Sequence, residues 1–457
     1  MTVARHYLST VSVAALAVGM GALRVIVFGN AYGATAETDA YFNAYLWFRM
    51  FFEDVPSLLL PMLIPAYLAQ LNTGNVQQSQ QLLRHWVWSR GAQFLGLLVA
   101  LAVLSPWILR WTTAGLPEGA YSLASQMLWV VLLTAPVLFF ACLLRVHLES
   151  RHRFVASGIF RLVLLSVSTV MMALSPWLGI WAAVWGLTAG ALAGLVCLLI
   201  AYYRDVRRLT RDENLATDSA APEIGITADG TQWSLLWILA SVLLQRASTT
   251  IDLHFGAAIE PGAVTLFNQI GTLISLPVMI LVQSLSTVLV PRAAQLQAAG
   301  QWLQLRQGLW RMCAAVCGAS LVAVVLLQFL AEPLIRVLFF RTVFDEHQIA
   351  DMVTLLRLYA LSILPLSLHL ACLGLTASHG AVRVLTALSF AAIVVRYGVL
   401  AGQVDTLTLE DLVYAHMAYH GTWVIGLLGY LTLRVRGEVN DCDPASPALS
   451  DCSGVRS

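Results

Sequence analysis

The chain of 457 residues is 59% apolar and 11% charged, with a formal net charge of +1 and a mean hydropathy of +0.76. Soluble globular chains carry roughly 25% charged residues, so no single water-soluble core could hide this much apolar surface. The near-neutral balance excludes a nucleic-acid binder and a disordered chain, seven scattered cysteines exclude a disulfide scaffold, and the use of arginine for all 26 basic residues removes Schiff-base and phosphate-loop lysine chemistry.

A spanning helix needs about 20 mostly apolar residues. Twelve stretches qualify: 7–29, 40–70, 87–111, 122–147, 155–175, 179–203, 233–256, 262–295, 309–332, 351–376, 379–401 and 411–434. These runs are too long for barrel strands, so the expected fold class is an all-α integral membrane protein. The first stretch follows Arg5, carries Arg24 and ends at Phe28-Gly29-Asn30 without a small-residue cleavage site, which reads as a retained helix and not a signal peptide. In the second, Arg49, Glu53, Pro56 and Ser57 share one helical face beside Asp54. Pro56, Pro61 and Pro65 then break its backbone ladder, which membranes tolerate where the backbone lines a cavity or is covered by protein. An Arg49–Glu53 ion pair that neutralises itself is the structural alternative.

After the sixth stretch comes a polar linker, 204–232, with no apolar periodicity. It divides the chain into an N-terminal six-helix lobe, 1–203, and a C-terminal six-helix lobe, 233–435, followed by an expected disordered cytoplasmic tail, 436–457. The halves also look alike: Gly33, Phe42-Asn43 and Pro65 in the first answer to Gly256, Phe267-Asn268 and Pro291 in the second. Repeats with an even number of spans share one orientation, which predicts a pseudo-two-fold axis along the membrane normal and a central cavity opening alternately to either side.

The seventh stretch carries a polar stripe, Gln245, Ser248, Thr249 and Asp252, with Arg246 one step around. A charge at a helix centre costs about 2.5–3.5 kcal/mol on the mild insertion scale, so the stripe is expected to face the protein interior. Arg161, Arg357 and Arg396 read as interfacial anchors near span ends. Cys313 and Cys317, and His416 and His420, are pairs four residues apart; without ligands at matching spacing they read as helix packing, and no metal site is expected. Seventeen arginines fall in the N-terminus, even-numbered loops and tail against three in the opposite loops, Arg110, Arg336 and Arg341. That bias predicts both termini in the cytoplasm. Motifs for ATP binding, zinc proteolysis and serine hydrolysis are missing, so an enzyme is not expected.

The run Gly33-Ala34-Thr35-Ala36-Glu37-Thr38-Asp39-Ala40-Tyr41-Phe42-Asn43-Ala44-Tyr45, preceded by Arg24 and followed by Arg49-x-x-x-Glu53 and Pro65, resembles the start of the MurJ/MviN family. These are lipid II flippases of the multidrug/oligosaccharidyl-lipid/polysaccharide exporter superfamily. Leu148-Glu149-Ser150-Arg151-His152-Arg153-Phe154, Asp252-Leu253-His254-Phe255-Gly256, Leu276-Pro277 and Val288-Leu289-Val290-Pro291 extend the likeness over about residues 5–435. The resemblance implies a two-lobed transporter whose cavity arginines bind the diphosphate of a polyprenyl-linked sugar. By position it implies Arg24 and Arg49 as substrate-binding arginines and Asp39 as the acidic residue of the T-D-A motif; Glu53, one helical turn from Arg49, is expected to join the substrate-binding set by orienting that guanidinium. The chain departs from the family pattern at Val18, at Thr272 and at Thr376-Ala377-Ser378, and lacks the two further C-terminal helices common in lipid II flippases.

Two functions follow as expectations. The first is a flippase for an undecaprenyl-diphosphate-linked glycan, lipid II or a related cell-envelope or exopolysaccharide intermediate, acting as a monomer among the lipids of the bacterial inner membrane. The second is a cation-coupled exporter of small solutes on the same scaffold, with Glu53, Asp54 and Asp252 as coupling carboxylates. Neither needs a cofactor or a nucleic-acid partner; sodium or proton coupling stays open.

Overall fold

The computed structural model describes residues 2–54, 60, 63–64, 67, 76–151, 153–213, 229–279, 301–339, 344–378 and 382–441. Every regular element among them is helical: α1 (Thr2–Tyr32), α2 (Ala36–Arg49, running on as a π-helical turn Met50–Asp54), α3 (Val76–Thr112), α4 (Glu118–Ser150), α5 (Phe154–Met172), α6 (Trp181–Glu213), α7 (Asp229–Ile259), α8 (Ala263–Met279), α9 (Trp302–Leu338), α10 in two arms (Glu346–Ala360 and Ile363–Ser378), α11 (Val382–Ala401) and α12 (Leu409–Asp441). The twelve expected stretches fall on these twelve helices, the second and eighth only as far as the described residues extend. Seven helices are long and apolar enough to cross a membrane, eight with the bent pair in α10, among the described residues.

Local chemistry accounts for the breaks. Thr35 caps α2 reciprocally with Thr38: the Thr35 hydroxyl accepts from the Thr38 amide at 3.3 Å and the Thr38 hydroxyl from the Thr35 amide at 2.8 Å. Glu37 and Asp39 in the first turn complement the helix dipole. The π-helical turn Met50–Asp54 lies just ahead of Pro56, whose missing N–H cannot continue an α ladder; Pro56 itself is outside the described residues. In α10 the arms meet at 48°, because Pro365 has no N–H for the Leu361 carbonyl; Ser362 closes the break with its amide and hydroxyl on the Tyr359 carbonyl at 2.9 and 2.7 Å.

The chain divides into two compact units. One comprises Met1–Trp233, Thr249–Thr272 and Ile335–Ala350; the other comprises Ser234–Ser248, Leu273–Leu334 and Asp351–Ser457. In the first unit α5 packs on α1 and α6, and α4 packs on α2 and α6. Gly186, Gly190 and Gly194 recur every four residues along α6 and let α5 approach: a Cβ on Gly190 would lie 2.4 Å from the Leu164 carbonyl oxygen, and one on Gly186 3.1 Å from that of Ser168. Small residues at this spacing are how helices associate where lipid removes the hydrophobic driving force. Phe28, Tyr41, Phe48, Met50 and Phe51 anchor the core of this unit. In the second unit α9, the second arm of α10, α11 and α12 enclose a core around Trp423, Val316, Cys372 and Ala392.

Candidate functional site

Arg24, on α1, is 6% exposed inside the first unit. Its Nε donates to the Ser168 hydroxyl on α5 at 3.1 Å, its Nη2 donates to the Tyr41 hydroxyl on α2, and its guanidinium lies 4.7 Å from the centre of the Tyr45 ring. Positions 41, 45, 48 and 52 form one aromatic stripe at helical spacing, with Tyr41 stacked on Tyr45 at 5.6 Å and Tyr45 on Phe48 at 6.1 Å. That stripe presents π faces and hydroxyl oxygens to the guanidinium, and no carboxylate pairs with Arg24 among the described residues. Buried charges are ordinarily paired with an opposite charge, because neutral acceptors recover only part of the lost hydration. A buried guanidinium held by hydroxyls and a ring face has the chemistry to take up an anion, and its planar fork matches the geometry of a phosphate.

Asp39 lies in the first turn of α2 and is fully buried. Oδ2 accepts from the Gly262 amide at 2.6 Å; Oδ1 accepts from the Thr265 amide at 2.8 Å and the Thr265 hydroxyl at 2.7 Å. Gly262 turns the chain from α7 to α8 with φ +97°, and a Cβ there would meet the Ala34 carbonyl carbon and oxygen at 2.8 Å, so both conformation and space require glycine. Other helix ends gather at the same corner of this unit. His254 stacks on Trp111 at 4.3 Å and its Nδ1 lies 2.6 Å from the Trp111 carbonyl oxygen, which fixes the proton on Nδ1. Asn30 donates to the Leu338 carbonyl at 2.7 Å, and Gln348 to that of Ala34 at 3.4 Å.

The remaining expected site residues are placed as follows. Arg49 is exposed at the end of α2. Glu53 and Asp54 lie in the π-helical turn, their side chains outside the described part, as are Pro56, Ser57, Pro61 and Pro65. Of the stripe on α7, Ser248 and Asp252 are buried while Gln245 and Thr249 are half-buried. Ser248 belongs to the second unit and accepts from Arg396 Nη1 at 2.7 Å, whereas Asp252 belongs to the first. The reading of Arg396 as an interfacial anchor is corrected: it is 3% exposed, held by Ser248, His416 and the Tyr419 ring.

Sequence reasoning passes over one network entirely. The run Leu148–Phe154 is tied down by Asp205 on α6, 5% exposed, which faces His147 Nε2 at 3.3 Å, Arg153 Nε at 3.2 Å and Arg151 Nε at 3.6 Å. The Tyr67 hydroxyl lies 2.7 Å from His147 Nδ1. Asp205 sits among arginines at the head of the polar linker, where an acidic residue reads as solvated; only the acid's isolation between Arg204 and Arg207-Arg208 hinted otherwise.

The family described as lipid II flippase MurJ matches residues 28–432; Asp39 and Arg49 fall within the match, and Arg24 lies four residues ahead of it. No curated protein matches the chain by sequence. Among solved structures, lipid II flippase MurJ in an inward closed conformation superposes with a TM-score of 0.73 at 14% identity, over 93% of this chain and 87% of that one. An inward-facing multidrug resistance MATE family transporter of the MOP superfamily gives 0.73 at 12% identity, over 93% and 95%. Its outward-facing counterpart by description gives 0.65 at 12% identity, over 95% and 96%. At such identities these likenesses establish the fold, that of the MOP transporters. A sequence match running from the end of α1 into α12 goes further, and by it this multi-pass membrane protein belongs to the MurJ family of lipid II flippases, which are transporters and not enzymes.

Proposed function

We propose that the chain carries an undecaprenyl-diphosphate-linked glycan, lipid II or a close envelope intermediate, across the bacterial inner membrane as a monomer, by alternating access of two six-helix lobes, 1–203 and 233–435. The observation that carries this reading is Arg24, a buried guanidinium held by two hydroxyls and a ring face with no carboxylate partner among the described residues. A diphosphate entering the low-dielectric interior needs cations, and Arg24 can exchange weak neutral acceptors for charge-assisted bonds at little reorganisation. Arg49 and Glu53 would complete the grip, Glu53 orienting Arg49 between cycles. The test uses purified protein in vesicles with two labelled substrates, an undecaprenyl-diphosphate sugar and an uncharged polyprenol sugar. Translocation confined to the diphosphate lipid is expected; equal handling of the two would leave the small-solute exporter, with its coupling carboxylates, as the better reading.

The same proposal places both termini and the 204–232 linker in the cytoplasm, supported by seventeen arginines on that side against three on the other. A cysteine introduced at Ser219 should stay unlabelled by an impermeant maleimide in intact cells and react once the membrane is permeabilised. Ready labelling from outside would reverse the orientation of every helix.

A further inference from the structure

Arg161 is the eighth of the nineteen residues of α5, a helix long and apolar enough to cross a membrane. Its reading as an interfacial anchor is therefore corrected. It stands near the middle of the span, where a charge is costly and belongs with protein or water.

The buried side chains of α5, from Ser157 through Phe160, Leu164 and Ser168 to Met172, form one face of the helix, and Val170, 68% exposed, marks the opposite one. Arg161 stands on the buried face, one turn from Ser157 and Leu165 and two turns from Ser168. Those neighbours are closed off, yet Arg161 is only half-buried. A side chain that leaves its helix on the inward face and still meets solvent opens into the unit and not onto lipid.

The Arg161 guanidinium lies 5.9 Å from the centre of the Phe52 ring, the last member of the aromatic stripe of α2. Arg24 lies over Tyr45 of the same stripe and donates to Ser168 on the same face of α5. Ser168 follows Arg161 by seven residues and Tyr45 precedes Phe52 by seven, so both helices set the two guanidiniums two turns, about 10 Å, apart along one line. The rung between them is aromatic: Phe48 lies 6.1 Å from Tyr45 and 5.7 Å from Phe52. Two cations thus face one wall of rings at a fixed interval.

We propose that Arg161 is a second cargo-binding arginine, which makes the first unit selective for a diphosphate over a monophosphate. The proposal rests on the transport reading above for the identity of the cargo; Arg161 is not among the positions that the family resemblance implies. Each planar fork takes one phosphate by charge-assisted bonds of about 2.8 Å, so a diphosphate spans both arginines. A monophosphate on Arg24 reaches only one, and Arg161 stays on the Phe52 face. A ring face holds a guanidinium less firmly than a phosphate does, so the exchange at Arg161 favours the second phosphate.

The experiment measures binding and translocation by the full chain in vesicles, with two labelled undecaprenyl lipids that bear the same sugar, one through a diphosphate and one through a monophosphate. Tail and sugar are identical, so the comparison isolates the second phosphate. The native protein should bind the diphosphate lipid more tightly by roughly 10–10²-fold, the equivalent of one charge-assisted contact. Arg161→Gln should lower affinity for the diphosphate lipid by that factor and leave the monophosphate lipid within about twofold of native, so that the two bind alike. Arg161→Lys keeps a charge without the fork and should retain part of the preference. Arg24→Ala, by contrast, should weaken both lipids. Equal binding of the two lipids by the native protein, a comparison that needs no variant, overturns the proposal. So does an equal loss of both in Arg161→Gln, the mark of a side chain that only packs on Phe52. A diphosphate preference that disappears in Arg161→Gln, in a protein that moves neither lipid across the vesicle membrane, keeps the site and sinks the transport reading instead.

Discussion

Replacing Arg24 by alanine should reduce translocation of the diphosphate lipid by roughly 10²–10⁴-fold, the equivalent of about 3–5 kcal/mol for breaking a buried charge interaction from one side. On the proposed reading two effects combine: the diphosphate loses the one buried guanidinium among the described residues of the first unit, and the site keeps hydroxyls that can accept but hold no charge. Arg24→Lys retains the charge and should still lose activity, by about tenfold, because an ammonium on a flexible stem cannot reproduce the planar fork that meets two phosphate oxygens. Ser168→Ala separates binding from folding. It removes the 3.1 Å partner of Arg24 Nε and leaves the guanidinium in place, so a purely structural role predicts that it destabilises the fold much as Arg24→Ala does. The diphosphate role predicts near-native transport in Ser168→Ala at equal amounts of folded protein. Full activity in Arg24→Ala would remove the clamp from the mechanism.

How much of this is legible in the chain depends on the range over which each feature is encoded. The helices are legible because twenty apolar residues in a row are a local signal, and the break in α10 could have been read from Pro365. The first-unit site is legible only by half. Arg24 stands out as a charge in an apolar stretch, and the aromatic stripe 41, 45, 48 and 52 has helical period, but Ser168 lies 144 residues away and nothing near it signals a guanidinium. Arg396 fails for the same reason: a charge six residues before the start of a polar turn looks like an anchor, and its burial is fixed by Ser248, 148 residues distant. His416 and His420 are visible as a pair; His369, whose Nδ1 lies 2.8 Å from that of His420, is on another helix 51 residues before it. The division of α7 between the two units is a further case, since a single continuous helical period from Gln245 to Asp252 carries no mark of a boundary.

The second large effect is expected at Asp39, read by backbone hydrogen exchange at Gly262 and Thr265. These amides donate to the carboxylate at 2.6 and 2.8 Å across more than 220 residues of sequence, and the Thr265 hydroxyl joins them at 2.7 Å. Asp39→Ala leaves the two amides buried without an acceptor, each costing about 1–3 kcal/mol, while the Thr265 hydroxyl keeps the Thr38 hydroxyl at 2.8 Å, so the α7–α8 turn should open far more often. A loss of about 2 kcal/mol at the turn corresponds to a fall of roughly thirtyfold in exchange protection at these amides. Asp39→Asn should fall between: its one oxygen can serve Thr265, but its NH₂ then points a donor at the Gly262 amide. Thr265→Ser keeps the hydroxyl and serves as the control with protection near native. Because Gly262 has no room for a side chain against Ala34, the turn cannot settle closer to compensate, and the lost bonds must appear as opening. Unchanged protection in Asp39→Ala would mean that packing of Leu46, Leu253, Ala257 and Val264 alone holds this corner, with the carboxylate contributing nothing to its closure.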